Sequence, residues 1–168
     1  MSFVAEIMMM EPTLRKPTVD DVDAMWRVRK AAILSVSDSF YPIETIRHWA
    51  NVSRPDDFTN AFDTIDTILC ECNSEPIGWG FANLDVSHIA AMFVSPNWHR
   101  RGIGSLITKR FEEMATDRDL ENLELSSTLN AVAFYEHRGF ESLGKIPYNH
   151  PNGFDLPSVR MRKWLRKT

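Results

Sequence analysis

The spacing of apolar positions along this chain is helical at first, then that of strands, then mixed. Thr13–Lys16 reads as a short first strand. Thr18 opens a helix: Asp21 follows at capping-box spacing, and Asp20 and Asp23 suit the positive end of the helix. Val22, Trp26, Arg29, Ile33 and Val36 fall on one stripe, apolar except at Arg29. An arginine there either snorkels at the edge of the apolar face or points into a substrate cleft. Pro42 suits the first turn of a second helix with Ile43, Ile46 and Ala50 inward. Ser53, Pro55 and Asp56 predict a third helix running to about Phe62.

From Thr67 the pattern becomes that of strands. Thr67–Cys72 is one, Asn73–Pro76 the turn, and Ile77–Leu84 the next. Alternation puts Ile77, Trp79 and Phe81 on one face and Gly78, Gly80 and Ala82 on the other, where the small side lets a neighbour come close. His88–Val94 is almost wholly apolar, as a central strand is. Gly102–Asp117 predicts a helix with Ile103, Leu106, Ile107, Phe111 and Met114 inward. Leu123–Ser127 is a strand, Asn130–His137 a short helix stopped by Gly139, and Phe140–Ile146 and Leu156–Trp164 two last strands around a loop at Asn149–Gly153. A helix crossing between the third and fourth main strands implies a locally parallel pair within a mixed α/β (α+β) fold.

Composition narrows this picture. The 168 residues suit one domain, taken as 13–168 after a flexible segment 1–12. Met1–Met10 is apolar but lacks the basic start of a signal peptide, and no apolar run approaches the ~20 residues of a membrane span. The net charge of -4 argues against a nucleic-acid partner and is compatible with an amine substrate. Cys70 and Cys72 read as small core hydrophobes in a reducing, cytoplasmic setting, and the five histidines make no metal cluster. The basic end, with Arg160, Arg162, Lys163, Arg166 and Lys167, reads as a solvated strand face.

The most informative stretch runs from Val94 to Ser105. An apolar strand ends near Pro96; His99, Arg100 and Arg101 make a basic turn; Gly102, Ile103, Gly104 and Ser105 open a helix. Free amides at a helix start, with no side chain at the glycines, form a close-fitting anion site suited to a pyrophosphate. A dinucleotide fold would need a third glycine where Ile107 stands, and the Gly-Lys-Ser/Thr of a P-loop is absent.

With these residues the chain resembles the GNAT superfamily of N-acetyltransferases. The family's strand ends in Val-x-Pro and is followed by Gln/Arg-x-x-Gly-x-Gly/Ala; Val94, Pro96, Gly102 and Gly104 match, and His99 stands at the Gln/Arg position. Asn130-Ala131-Val132-Ala133-Phe134-Tyr135 through Gly139-Phe140 resembles a second family segment. Many members also carry an asparagine where this chain has Thr128.

The resemblance implies a mixed central sheet whose parallel central strands splay apart, with flanking helices. It implies acetyl-CoA as cosubstrate and no metal. The pantetheine arm would pair with backbone of Met92, Phe93 and Val94, and the pyrophosphate would lie on amides from Arg100 to Ser105 beside His99. Asn130 is the first choice to bind the arm, ahead of Thr128, and Tyr135 would protonate the leaving thiolate. Where members often carry an acidic base, this chain has Ala90. His88 is the first substitute, taken as sharing that face by strand alternation; Asp85, Glu71 and a water chain follow. The acceptor, a small-molecule or peptide amine, would meet the two N-terminal helices and the Tyr148–Phe154 loop, with Phe40, Tyr41, Trp79 and Phe81 as candidate lining. A homodimer stays open. Two other functions stay open beside the enzyme: an acyl-CoA-binding module without turnover, and a nucleotide-binding protein.

Overall fold

A computed structural model describes residues 11–166 of the chain. Met1–Met10 and Lys167 lie outside them. Along the chain come β1 (Thr13–Arg15), α1 (Val22–Leu34), α2 (Ile43–Ala50), α3 (Ala61–Thr64), β2 (Asp66–Cys72), β3 (Glu75–Asn83), β4 (His88–Val94), α4 (Ile103–Asp117), β5 (Asn122–Thr128), α5 (Val132–His137), β6 (Glu141–Ile146), β7 (Asn149–His150), β8 (Phe154–Asp155) and β9 (Ser158–Trp164). Seven strands form one sheet in the order β1-β2-β3-β4-β5-β9-β6, and β7 and β8 form a separate hairpin. β4 and β5 are parallel, joined through α4, and the other pairs are antiparallel. This is the mixed sheet that the order of elements predicts.

Each face of the sheet carries its own core. On one side α4 lays Ile103, Ile107 and Phe111 over Ile68, Cys70, Leu123 and Leu125. The small face of β3 lets it come close. A Cβ at Gly80 would lie 2.8 Å from the Phe111 ring, and one at Gly78 would lie 3.0 Å from Ile103. On the other side α1 packs Val22, Met25 and Val28 against Leu69, Trp79 and Phe81. Trp79 and Phe81 are therefore core residues rather than pocket lining, and the Trp79 indole donates to the Met25 carbonyl at 2.7 Å.

The helices depart from expectation in detail. Met25 and Val28 are buried in α1, whereas Trp26 is half-buried, so the apolar stripe is wider than one row. In α2 Trp49 is buried and Ile43 is exposed. The third helix starts late: 56–60 form successive turns, with the Phe58 amide bonded to the Pro55 carbonyl and α3 following. These turns put the Phe58 ring among Trp26, Phe62, Trp79 and Phe81, with centroids 5.4–5.9 Å away.

The start of α1 is tied to the sheet by one carboxylate. Asp21 accepts from both terminal nitrogens of Arg15 at 2.7 and 2.8 Å and from the Thr18 amide at 2.7 Å. These bonds, Arg15 foremost and against the effect of burial, hold the Asp21 carboxyl down to about 2 from an ordinary 3.8. A depressed carboxylate stabilises the fold above its unfolded value and loses that contribution as pH falls through the folded one. Asp21 is thus expected to supply about 2 kcal/mol at neutral pH that is gone near pH 2. Urea denaturation of Asp21→Asn should show a smaller stability loss between pH 5 and pH 2.5 than the parent shows. An unchanged loss would remove this role.

Candidate active site

The centre of the sheet is open. His88 pairs with Glu124 and Ile89 with Leu125, and these are the rungs between β4 and β5. Both strands continue, to Val94 and to Thr128, each still paired with its outer neighbour: Gly78 with Val94 and Thr128 with Ser158. Ala90 and Ser126 are consequently exposed although they lie on the two strands at the opening. Along the splayed part of β4 the backbone groups that face β5 have no rung to make, and an extended ligand can bond them as an added strand.

A bulge marks where the strands part. Ile89 pairs with Ala82, and Ala91 pairs with Phe81, leaving Ala90 as the extra residue. A bulge bends and twists its strand. It also shifts the alternation: by register His88 shares a face with Ala91, and Ala90 is the unpaired residue between Ile89 and Ala91. The strand-alternation argument for His88 therefore does not carry across the bulge.

At the outer end of the opening lies the glycine turn. A short 3-10 turn, Pro96–Trp98, follows β4. Arg100 has φ 59° and Gly102 φ 81°; Gly102 caps α4, and its carbonyl accepts the first helical bond from Leu106 at 2.9 Å. The amides of Ile103, Gly104 and Ser105 thus belong to the unsatisfied first turn of a fifteen-residue helix. Arg100 and Arg101 are exposed beside it, and Arg101 stacks on Trp98 with its guanidinium carbon 5.1 Å from the ring centroid. The His99 ring is engaged elsewhere: its Nε2 lies 2.9 Å from the Val94 carbonyl, tying the turn back to the end of β4. Gly104 faces α5, where an added Cβ would lie 3.1 Å from the Phe134 ring and 3.6 Å from Met92.

The opposite wall comes from β5 and α5. Asn130 is exposed in the 3-10 turn Leu129–Ala131, and Thr128 caps that turn. Tyr41 holds it in place: its hydroxyl donates to the Pro157 carbonyl at 2.6 Å and accepts from the Leu129 amide at 2.9 Å. Tyr41, named from sequence among the candidate lining residues, is buried, and its hydroxyl acts as a strut. Tyr135 is buried between Phe134 and Phe140, with centroids 5.0 and 5.5 Å away. Burial drives its pKa well above the usual tyrosine value, so its hydroxyl stays protonated.

His88 sits at the closed end of the opening. It is half-buried, and burial pushes its pKa down; the Glu124 charge opposes this and the Arg160 charge adds to it. Glu124 is in turn held ionised by Arg160 at 2.7 Å and by Arg162. The basic end is therefore partly paired rather than freely solvated, with Lys163 also bonded to Glu112 at 2.9 Å. The weaker base candidates stand away from the opening: Glu71 pairs with Arg15 at 2.9 Å near the sheet edge, and Asp85 is exposed in the turn before β4.

Beside Phe93 on β4 the two N-terminal helices meet the β7–β8 hairpin. His150 stacks on Phe154 at 4.3 Å, and Trp49 lies 6.4 Å from Phe93. Phe40 is exposed near the start of α2. Sequence reasoning placed these elements around the acceptor but treated the hairpin as a plain loop. Among the described residues no group of three or more His, Cys, Asp or Glu side chains could hold a metal ion, and no helix is long and apolar enough to cross a membrane.

Known proteins share this fold. A family model described as the acetyltransferase (GNAT) domain matches residues 37–163. An uncharacterized N-acetyltransferase of Methanocaldococcus jannaschii is 25% identical over 144 residues, covering 77% of this chain and 60% of that relative. A GCN5-related N-acetyltransferase from Rhodopseudomonas palustris superposes with a TM-score of 0.84 at 22% identity, covering 93% of this chain and 98% of that one. The PaiA N-acetyltransferase from Thermoplasma acidophilum, solved with coenzyme A, gives 0.72 at 16% identity over 92% of this chain and 99% of that one. At these identities the solved structures speak for the fold.

Proposed function

The chain belongs to the GNAT acetyltransferase family, and from that premise we propose that it transfers the acetyl group of acetyl-CoA to a primary amine in a ternary complex. The observation that carries this reading is the opening between β4 and β5 that ends against the glycine turn. A relative of the same fold holds coenzyme A, which supports acetyl-CoA as cosubstrate. The pantetheine arm pairs with backbone of Met92, Phe93 and Val94. The pyrophosphate lies on the amides from Arg100 to Ser105, with Arg100 and Arg101 adding charge. Asn130 binds the arm from the β5 side. His99 shapes the turn through Val94 rather than meeting phosphate with its ring.

The amine nitrogen attacks the thioester carbonyl carbon, the carbon–sulfur bond breaks, and its electron pair goes to sulfur. Tyr135 gives its hydroxyl proton to that thiolate. The proton lost by the amine goes to His88 by way of water. Its lowered pKa keeps the ring neutral, and so able to accept, below its ordinary 6.5. His88→Ala is accordingly expected to lose turnover most near neutral pH, ~10²-fold, and to recover at higher pH where more amine is already neutral. A variant that loses stability but keeps the parental pH–rate profile makes His88 structural.

A panel of amines with acetyl-CoA, read by free-thiol release and product mass, tests the reaction. Turnover with at least one amine is expected. Saturable CoA binding without turnover on any amine would favour a binding module.

A further inference from the structure

Arg29 is buried, 6% exposed, in the middle of α1. Its Nη2 donates to the Trp49 carbonyl at the end of α2, at 2.9 Å. Its Nη1 is buried with no hydrogen-bond partner. The guanidinium carbon lies 4.5 Å from the Trp26 ring centroid and 5.8 Å from that of Phe93. Arg15, Arg54, Arg118, Arg138, Arg160 and Arg162 each meet a carboxylate. Arg29 meets none. Burial alone pulls its pKa to about 10; on the hairpin, burial first and the Arg29 charge second push down that of His150.

A buried arginine is normally paired, because an uncompensated charge away from water is costly. Capping the end of α2 uses one of five donors and does not call for a full charge there. The aromatic faces offset part of the cost. What remains is a planar fork with an unpartnered nitrogen, set beside Trp26 and beside Phe93, where β4 borders the opening.

We propose that Arg29 binds a carboxylate carried by the acceptor, so that the acceptor is an amino acid or a similar amine with an acid group nearby. This rests on the acetyl-transfer reading above. The fork is selective for such a group, since a carboxylate takes two parallel N–H bonds from one guanidinium. Burial beside Trp26 and Phe93 keeps water from the guanidinium and strengthens such a pair. A polyamine or other purely cationic acceptor is repelled by the same charge.

The test is a set of matched acceptors: the standard amino acids as free acids and as carboxamides, with acetyl-CoA. At least one free acid is expected to exceed its amide in kcat/KM by roughly 10- to 100-fold. In Arg29→Met that ratio should fall to about one, and in Arg29→Lys to an intermediate value. Stabilisation by CoA reports that each variant is folded. Equal rates for acids and amides in the parent, or an acid preference that survives in Arg29→Met, overturn the proposal. A second arm needs no turnover: in the CoA-loaded parent, N-acetylglycine or another N-acetylated amino acid should raise the melting temperature more than its amide does, and Arg29→Met should lose the difference. If nothing turns over but this difference is present, the transfer reading fails and the carboxylate site stands. If neither turnover nor any carboxylate-dependent shift is found, both fail.

Discussion

Tyr135→Phe is expected to lower turnover by ~10²–10⁴-fold while leaving acetyl-CoA binding near that of the parent. The substitution removes one hydroxyl and keeps the ring packed between Phe134 and Phe140. In the proposed complex binding is spread over β4 and the start of α4 and does not involve that hydroxyl. In the proposed reaction the leaving thiolate depends on it, because expelling sulfur as an anion away from water is costly unless a proton or hydrogen bond meets it. The raised pKa of Tyr135 keeps the donor protonated across the working range. Single-turnover rates isolate the chemical step from product release. A Tyr135→Phe enzyme with the parental single-turnover rate would leave the residue as packing.

The second large effect is expected at Gly104. Gly104→Val should abolish the thermal stabilisation by CoA, which for a ligand at a hundred times its Kd is worth ~2.7 kcal/mol. The sequence alone gives one reason, a side chain in the space for the pyrophosphate. The structure adds another. The first carbon of that side chain would meet the Phe134 ring at 3.1 and 3.3 Å. Phe134 must then give way, and Tyr135 follows it in α5. The valine variant should therefore lose turnover as well as binding. A folded Gly104→Val protein with full CoA-induced stabilisation contradicts the assignment of the phosphate turn.

The parts of this site that were legible in the sequence are those built from backbone. Val94 to Ser105 announces a strand, a turn and a helix start, and the two glycines limit what can lie there. Asn130 to Phe140 likewise announces a short helix and its stop at Gly139, though its first residues turn out to form a 3-10 turn. The parallel pair followed from the helix between β4 and β5, whereas the order of the other strands, with β9 between β5 and β6, came only with the structure. What stayed hidden depends on one extra residue or on packing from distant segments. The bulge at Ala90 leaves no mark in an apolar run, yet it changes which residues share a face with His88. Trp79 and Phe81 alternate as pocket-lining aromatics would, but α1 covers them. Tyr41 spends its hydroxyl on Pro157 and Leu129, more than 80 residues away. At Arg29 the stripe pattern left two readings open. Those were a snorkelling arginine and one that points into a substrate cleft; that the side chain is buried, with no carboxylate facing it among the described residues, is visible only once α2 is in place.

Hydrogen exchange with and without acetyl-CoA tests the central claim most directly, since the claim is that the cosubstrate lies along β4 and on the start of α4. Under saturating acetyl-CoA, amides in 91–94 and 100–105 should exchange more slowly, while those of β1 and β2 should not change. Saturable binding that leaves both segments at their free-protein rates, or that protects a different edge of the sheet, contradicts it.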